Sequence, residues 1–240
     1  MSKPRPGVEA AKRLSKCADE EIWRLVEKKY PEVVSHLVDG FAEIDSDYRR
    51  LGRSLSKGKS KESITKEELL SIVRWKFSVG KPRHALMKHL TSNTEISVRE
   101  HSKFSIAKAR CSTEADLESA KKAMEDFINL KGVGPATASA LLTLVRPDVF
   151  AYMYDEVIDC FLPKRTYTLK TYMTLNNDCI KIARHLGDGW NASRVATALW
   201  IAARVKAYKL EDHTLRKRPL VDKNETSDSK DRKAIKRRKS

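Results

Sequence analysis

Apolar residues recur every three or four positions through most of the chain, the spacing that lines one face of an α-helix. Ile22, Trp23 and Val26 mark a helix over 19–29, and Pro31 opens a second, short one containing Val33, Val34, Leu37 and Val38. Thr65 with Glu68 three residues later forms a capping-box signature ahead of Leu69, Leu70, Ile72, Val73 and Phe77. Thr113 with Asp116 repeats that signal before Leu117, Ala120, Met124, Phe127 and Ile128. Two long helices are predicted over 169–186 and 193–208, the second bearing Val195, Leu199, Ile201, Ala202 and Val205. Alternating β-branched runs never exceed about four residues, too short for a convincing strand, and no solenoid-type repeat is present. The pattern predicts an all-α fold with one compact helical domain over 17–210. A flexible N-terminus over 1–16 and a tail over 211–240 flank it, and the polar Gly/Ser/Lys-rich stretch 52–63 reads as a flexible connection.

Charge changes the picture. The 240 residues carry 48 Lys+Arg against 32 Asp+Glu, a net charge of +16, which makes a polyanion, and nucleic acid first among them, the expected partner. No apolar run reaches the roughly 20 residues that span a bilayer, so no membrane role is expected. The basic N-terminus lacks the apolar stretch of a secretory signal. Cys17, Cys111, Cys160 and Cys179 are too scattered for a disulfide framework or a metal site, which suits a reducing compartment. The six histidines show no metal-ligand spacing. The tail over 216–240 holds 11 Lys or Arg and 4 Asp or Glu with almost nothing apolar, and is expected to be disordered. Its clusters Arg216, Lys217, Arg218 and Lys236, Arg237, Arg238, Lys239 have the form of a bipartite-like nuclear import signal, predicting a nuclear location; a solvated tail that merely adds phosphate affinity is the compatible alternative.

One segment is more specific than the rest: DFINLKGVGPATASALL, residues 126–142. A helix ends near Asn129, a tight turn contains Gly132 and Gly134, and Pro135 stands at the first position of a new helix. The glycines permit positive φ and close approach, so successive N–H groups can point outward at the positive end of the next helix, where a phosphate would bind.

This string resembles the helix-hairpin-helix of the DNA glycosylase superfamily that includes endonuclease III, adenine glycosylase, 8-oxoguanine glycosylase and the alkyladenine glycosylases. The likeness is strong over about 113–160 and extends by helix order over 65–208, with the motif itself at about 115–145. It implies a glycosylase-like fold, duplex DNA as partner, and a target nucleotide flipped into a pocket. Matching residue by residue, the backbone of Leu130, Lys131, Gly132, Val133, Gly134, Ala136 and Thr137 would meet DNA. The carbonyls of Ile128, Leu130 and Val133 would contact a bridging monovalent cation. Asp155, within Met153-Tyr154-Asp155-Glu156, falls at the register of the family's catalytic carboxylate, which stabilises positive charge on the sugar and positions water. From its residues alone, Asp155 reads equally as an N-cap.

Three departures narrow the expectation. The strand-cleaving members' Schiff-base lysine is matched here by Ala136, so lyase activity by that route is not expected. The iron–sulfur cysteine loop is missing, so no cluster is expected and no cofactor beyond the cation. The base-stack wedge of the family is matched by RWKFSVGKPRH, residues 74–84. There Lys76, Lys81 and Arg83 are candidate DNA contacts, Trp75 is a wedge or pocket candidate, and Phe77 continues an apolar face. Tyr152 and Tyr154 could line a base pocket, Asp159 shares a helix face with Asp155, and Glu156 is an alternative acid. Two functions stay open: a monofunctional DNA N-glycosylase in base excision repair, acting through Asp155, or a catalytically inactive nuclear DNA-binding or adaptor protein on the same fold.

Overall fold

The computed structural model describes residues 7–56 and 60–207, and every regular element among them is an α-helix. In chain order these are α1 (Val8–Ser15), α2 (Glu20–Glu27), α3 (Tyr30–Val34), α4 (Phe41–Leu55), α5 (Lys66–Val79) and α6 (Ala85–Thr91). α7 (Glu95–Cys111), α8 (Leu117–Ile128), α9 (Pro135–Val145), α10 (Asp155–Phe161), α11 (Leu169–Leu186) and α12 (Ala192–Ala207) follow. None is long and apolar enough to cross a membrane.

Two helices organise the core, because each is apolar nearly all round and can only be buried. α9 is the first, with Ala138, Ala140, Leu141, Leu142 and Val145 fully buried, and α4, α5, α7, α8 and α11 pack around it. α12 is the second, with Val195, Ala198, Leu199 and Trp200 fully buried against α1, α2, α3, α10 and α11. α11 touches both, so one continuous core joins the two groups.

The local signals hold where they are strongest. Thr65 Oγ1 accepts from Glu68 N–H at 3.1 Å while the Glu68 carboxylate accepts from Thr65 N–H at 2.8 Å, completing the box that starts α5. At α8 the cap is Asp116, which accepts from Ser119 N–H at 3.0 Å; Thr113 lies one step back and accepts from Asp116 N–H.

Two expected loose segments are in fact built into the fold. Residues 8–15, expected within a flexible terminus, form α1, with Val8, Ala11 and Leu14 buried against α12 and α10. Gly7 sits so close to α12 that a Cβ there would lie 2.0 Å from the Ala203 carbonyl oxygen, so glycine at this position lets the start of α1 approach α12. Likewise residues 52–55, the front of the expected connection, are the last turn of α4, held by buried Leu51 and Leu55. The tail, with both basic clusters, lies outside the described residues.

Candidate functional site

The turn between α8 and α9 is fixed from both sides. Asn129 closes α8, Leu130 and Val133 bury their side chains in the core, and Val133 N–H returns to the Leu130 carbonyl at 3.1 Å. Gly132 adopts φ +76°, the left-handed region that glycine enters without steric cost. It packs against α6: an added Cβ would stand 3.0 Å from Leu90 Cγ and 3.1 Å from Leu90 N. Asn93, buried at the α6–α7 junction, clamps the turn. Its Oδ1 accepts from Lys131 N–H at 3.0 Å, and its Nδ2 donates to the carbonyls of Lys131 (2.8 Å) and Leu90 (3.0 Å). Lys131 N–H is therefore committed to protein and its side chain is exposed. The amides of Gly132, Gly134 and Ala136, by contrast, donate to no acceptor among the described residues. They stand at the positive end of α9, where anions are favoured.

These amides border a cleft of about 130 Å³ whose wall includes Gly132, Gly134, Ala136 and Thr137 from the turn, and Lys76, Lys81 and Arg83 from the end of α5 and the loop after it. Tyr152, Met153, Tyr154, Asp155, Glu156 and Tyr167 also line it. Residues some 80 positions apart in sequence thus share one cavity. Its size approaches the ~150 Å³ of an apolar protein cavity that takes a benzene ring, so one flat ring is a suitable occupant.

Asp155 is the first residue of α10, and the cap position before it belongs to Tyr154, so the N-cap reading of Asp155 does not hold. Its carboxylate accepts instead from Arg165 Nη1 at 2.5 Å and from Tyr167 Oη at 2.8 Å. Arg165 also grips Asp159 with Nε at 2.9 Å and with Nη2, so the two carboxylates one turn apart share a single guanidinium. Tyr167 in turn lies under Arg83, whose guanidinium carbon is 4.7 Å from the ring centroid. Glu156 faces the same cleft and pairs with Arg204 at 2.9 Å. Burial still raises its carboxyl above the usual range, with Arg204 opposing. Lys76 is half-buried, and burial first, then Arg83, pull its amine down to about 8 against the opposing charge of Asp155.

Not every expected residue reaches the cleft. Trp75 is 5% exposed, stacks on Tyr48 with ring centroids 3.9 Å apart, and donates from Nε1 to Asp45 at 2.9 Å. It cannot act as a wedge. Its place is behind the cleft, edge-on to Tyr152 at 4.9 Å, within an aromatic series that continues through Tyr154 to Trp200. That series holds the two tyrosines of the cleft rigidly from beneath. Burial pushes the hydroxyls of both tyrosines well up, so they stay neutral at physiological pH. Phe77 is half-buried against the core and carries Lys76 Nζ 5.2 Å from its centroid. Asn93, Arg165, Tyr167 and Arg204 are the site residues that periodicity could not show, since three of them lie in irregular turns or their partners are remote in sequence. No group of three or more His, Cys, Asp or Glu side chains that could hold a metal ion occurs among the described residues. The chain matches no protein-family model, no curated protein and no solved structure.

Proposed function

We propose that the protein binds duplex DNA through a helix-hairpin-helix formed by α8 and α9, on a glycosylase-like fold, and receives one flipped nucleotide in the adjoining cleft. The observation that carries the reading is the convergence of three unlike groups on one cavity. These are the unpartnered amides of Gly132, Gly134 and Ala136, the cations Lys76, Lys81 and Arg83, and the carboxylate of Asp155. Amides at a helix start suit a backbone phosphate, the cations suit its neighbours, and a ring-sized cavity over Tyr152 and Tyr154 suits a base. The carbonyls of Ile128 and Val133 accept no backbone N–H among the described residues and that of Leu130 accepts one, which leaves lone pairs for a bridging monovalent cation. The basic tail clusters would direct the protein to the nucleus.

The reaction this cleft fits is hydrolysis of an N-glycosidic bond by a monofunctional DNA N-glycosylase. As the base leaves, positive charge grows on the sugar, and Asp155 would stabilise it and orient the attacking water. A second reading, a binding module that excises nothing, is favoured by one observation: Asp155 is already bonded to Arg165 and Tyr167, which weakens its field at the sugar. A lesion screen separates the two. Duplexes carrying single damaged or mismatched bases are incubated with the parent or with Asp155→Asn, then treated with alkali. Breaks with the parent alone establish the glycosylase. Duplex bound by both proteins, with no breaks from either, supports the binding module. Failure to bind any duplex refutes the whole proposal.

A further inference from the structure

The region around α3 and the start of α4 differs from the rest of the chain in charge as well as in polarity. Val34 and Leu37, half-buried, and Val38, 47% exposed, line with Ala42 an open groove of about 530 Å³. Asp39 and Asp45 also line it. An exposed apolar patch with a polar rim marks a surface that another group covers. The stretch 30–48, which builds this region, contains the acids Glu32, Asp39, Glu43, Asp45 and Asp47 and no Lys or Arg, in a chain whose net charge is +16. Glu32, Asp45 and Asp47 pair with Lys29, Arg49 and Arg50. Asp39 and Glu43 are exposed, and their carboxylates make no ion pair or hydrogen bond among the described residues. An apolar floor beside unpaired carboxylates calls for an occupant that is both apolar and basic.

We propose that this groove holds residues 215–221 of the chain's own tail, Leu215-Arg216-Lys217-Arg218-Pro219-Leu220-Val221, which lie outside the described residues. The segment supplies both halves of the match: Leu215, Leu220 and Val221 for the apolar floor, and Arg216, Lys217 and Arg218 for the acid rim. The later basic cluster, 236–239, has only Ala234 and Ile235 beside it. Reach favours the nearer segment too. Trp200 of α12 lies against Tyr30, whose side chain lines the groove, with ring centroids 6.3 Å apart. From Trp200 the helix runs on to Ala207, about 10 Å further. Residues 208–214 span up to about 23 Å when extended, enough to bring Leu215 back to the groove. A segment tethered so close meets its site at a high effective concentration, so modest contacts suffice to hold it. While docked, Arg216, Lys217 and Arg218 face carboxylates and are withheld from phosphate and from an import receptor, so the groove controls when that cluster is available. None of this depends on DNA binding by the cleft.

Carbodiimide cross-linking tests it, because the reagent joins a carboxylate directly to an amine that touches it, and Lys217 is the only lysine in the segment. Full-length protein, as an equal mixture of natural and heavy-isotope chains, is treated with the reagent, and the linked peptides are identified by mass spectrometry. The expected products join Lys217 to Asp39 or Glu43 within one chain. Their yield should fall on the order of fivefold in the double variant Leu215→Ser/Leu220→Ser, which keeps every charge and removes two apolar contacts. Helical circular dichroism at the parent's level shows that variant to be folded. Products that join a natural to a heavy chain, and no others, would put a second copy's tail in the groove and overturn docking within the chain. An unchanged yield in the double variant would show that charge alone gathers the tail. Links from Lys217 only to other acids, or none at all, would show that the tail does not fill the groove. Either of these last results also overturns the proposal.

Discussion

Gly134→Ala adds one methyl group to the wall of the cleft, and the structure fixes what that methyl meets. Gly134 has φ −115° and ψ −178°, an extended conformation open to any residue, and an ideal Cβ there finds nothing within 4 Å. Two small effects on stability oppose each other. As the cap of α9, alanine is poorer than glycine by about 1 kcal/mol. Reduced freedom of the unfolded chain returns about 0.4–1 kcal/mol. The urea midpoint should therefore hardly move, at constant m. On the proposed function duplex binding should suffer, because the methyl takes up space in the cleft wall next to the Gly134 amide, one of those that would hold phosphate. A hydrogen bond to a charged group contributes about 1.5–3 kcal/mol, so losing one weakens Kd roughly ten- to a hundredfold. Gly132→Ala is the contrasting variant: its φ of +76° costs a β-carbon about 1–2 kcal/mol, and approaches of 3.0–3.1 Å to Leu90 and His89 add to that. It should lose stability as well as affinity. Denaturant titration and fluorescence anisotropy with a labelled duplex read the two quantities separately. If Gly134→Ala binds duplex as the parent does, the amides of this turn do not hold phosphate, and the basic loop or tail must account for any affinity.

Asn93→Ala removes the acceptor of Lys131 N–H, and an unmet, partly buried donor costs about 1–3 kcal/mol; the variant should show that loss in urea and weaker duplex binding at unchanged net charge, and equal affinity would show that the clamp does not shape the site. Lys76→Met should raise stability at neutral pH. The folded-state amine of Lys76 titrates near 8, below the unfolded value near 10.4, so the penalty for its charge is complete below about pH 8 and relieved as pH rises towards 10. Thermal melts from pH 6.5 to 9.5 should show the advantage of Met shrinking as pH rises, and an advantage independent of pH would refute the burial argument. Lys81→Gln and Arg83→Gln should each lower the slope of log duplex affinity against log salt by about 0.9 for every phosphate the parent side chain neutralises; an unchanged slope would show that the side chain meets no phosphate.

The parts of this fold that are legible in the sequence are those set by neighbours a few residues apart. The capping box at Thr65 and Glu68, Pro135 at the start of α9 and the helical stripes of α5, α8 and α12 all depend on spacings of three or four residues. α1 escapes such a reading because its stripe of Val8, Ala11 and Leu14 covers two turns only, too short to outweigh the prolines and glycine before it. Trp75 misleads for a different reason. A tryptophan between basic residues has the composition of a stacking platform, yet Asp45 and Tyr48, thirty and twenty-seven residues earlier, supply a partner for its N–H and a face for its ring. Tertiary partners decide its position, and no local spacing announces them. The same holds for Arg165 and Tyr167, which lie in the irregular stretch between α10 and α11 and become meaningful only once α10 presents Asp155 to them.

The charge arrangement around α10 bears directly on which chemistry the cleft can support. Asp155 and Asp159 share Arg165, and Glu156 is paired with Arg204, so each of these three acids already faces a guanidinium. Lys76, Lys81 and Arg83 add three cations to the wall. The local balance is therefore positive, and it favours an anion entering the cleft over a cation forming in it. A glycosylase transition state is cationic at the sugar, so it would draw on Asp155 alone and against this background. A phosphate contact places the opposite demand, since it gains from every cation present. Lowering the positive background should then move the two in opposite directions: Arg83→Gln would help a carboxylate-driven excision and would weaken duplex binding. Base release and duplex affinity, compared in that one variant, would tell whether the cations of the cleft serve a phosphate or oppose an excision.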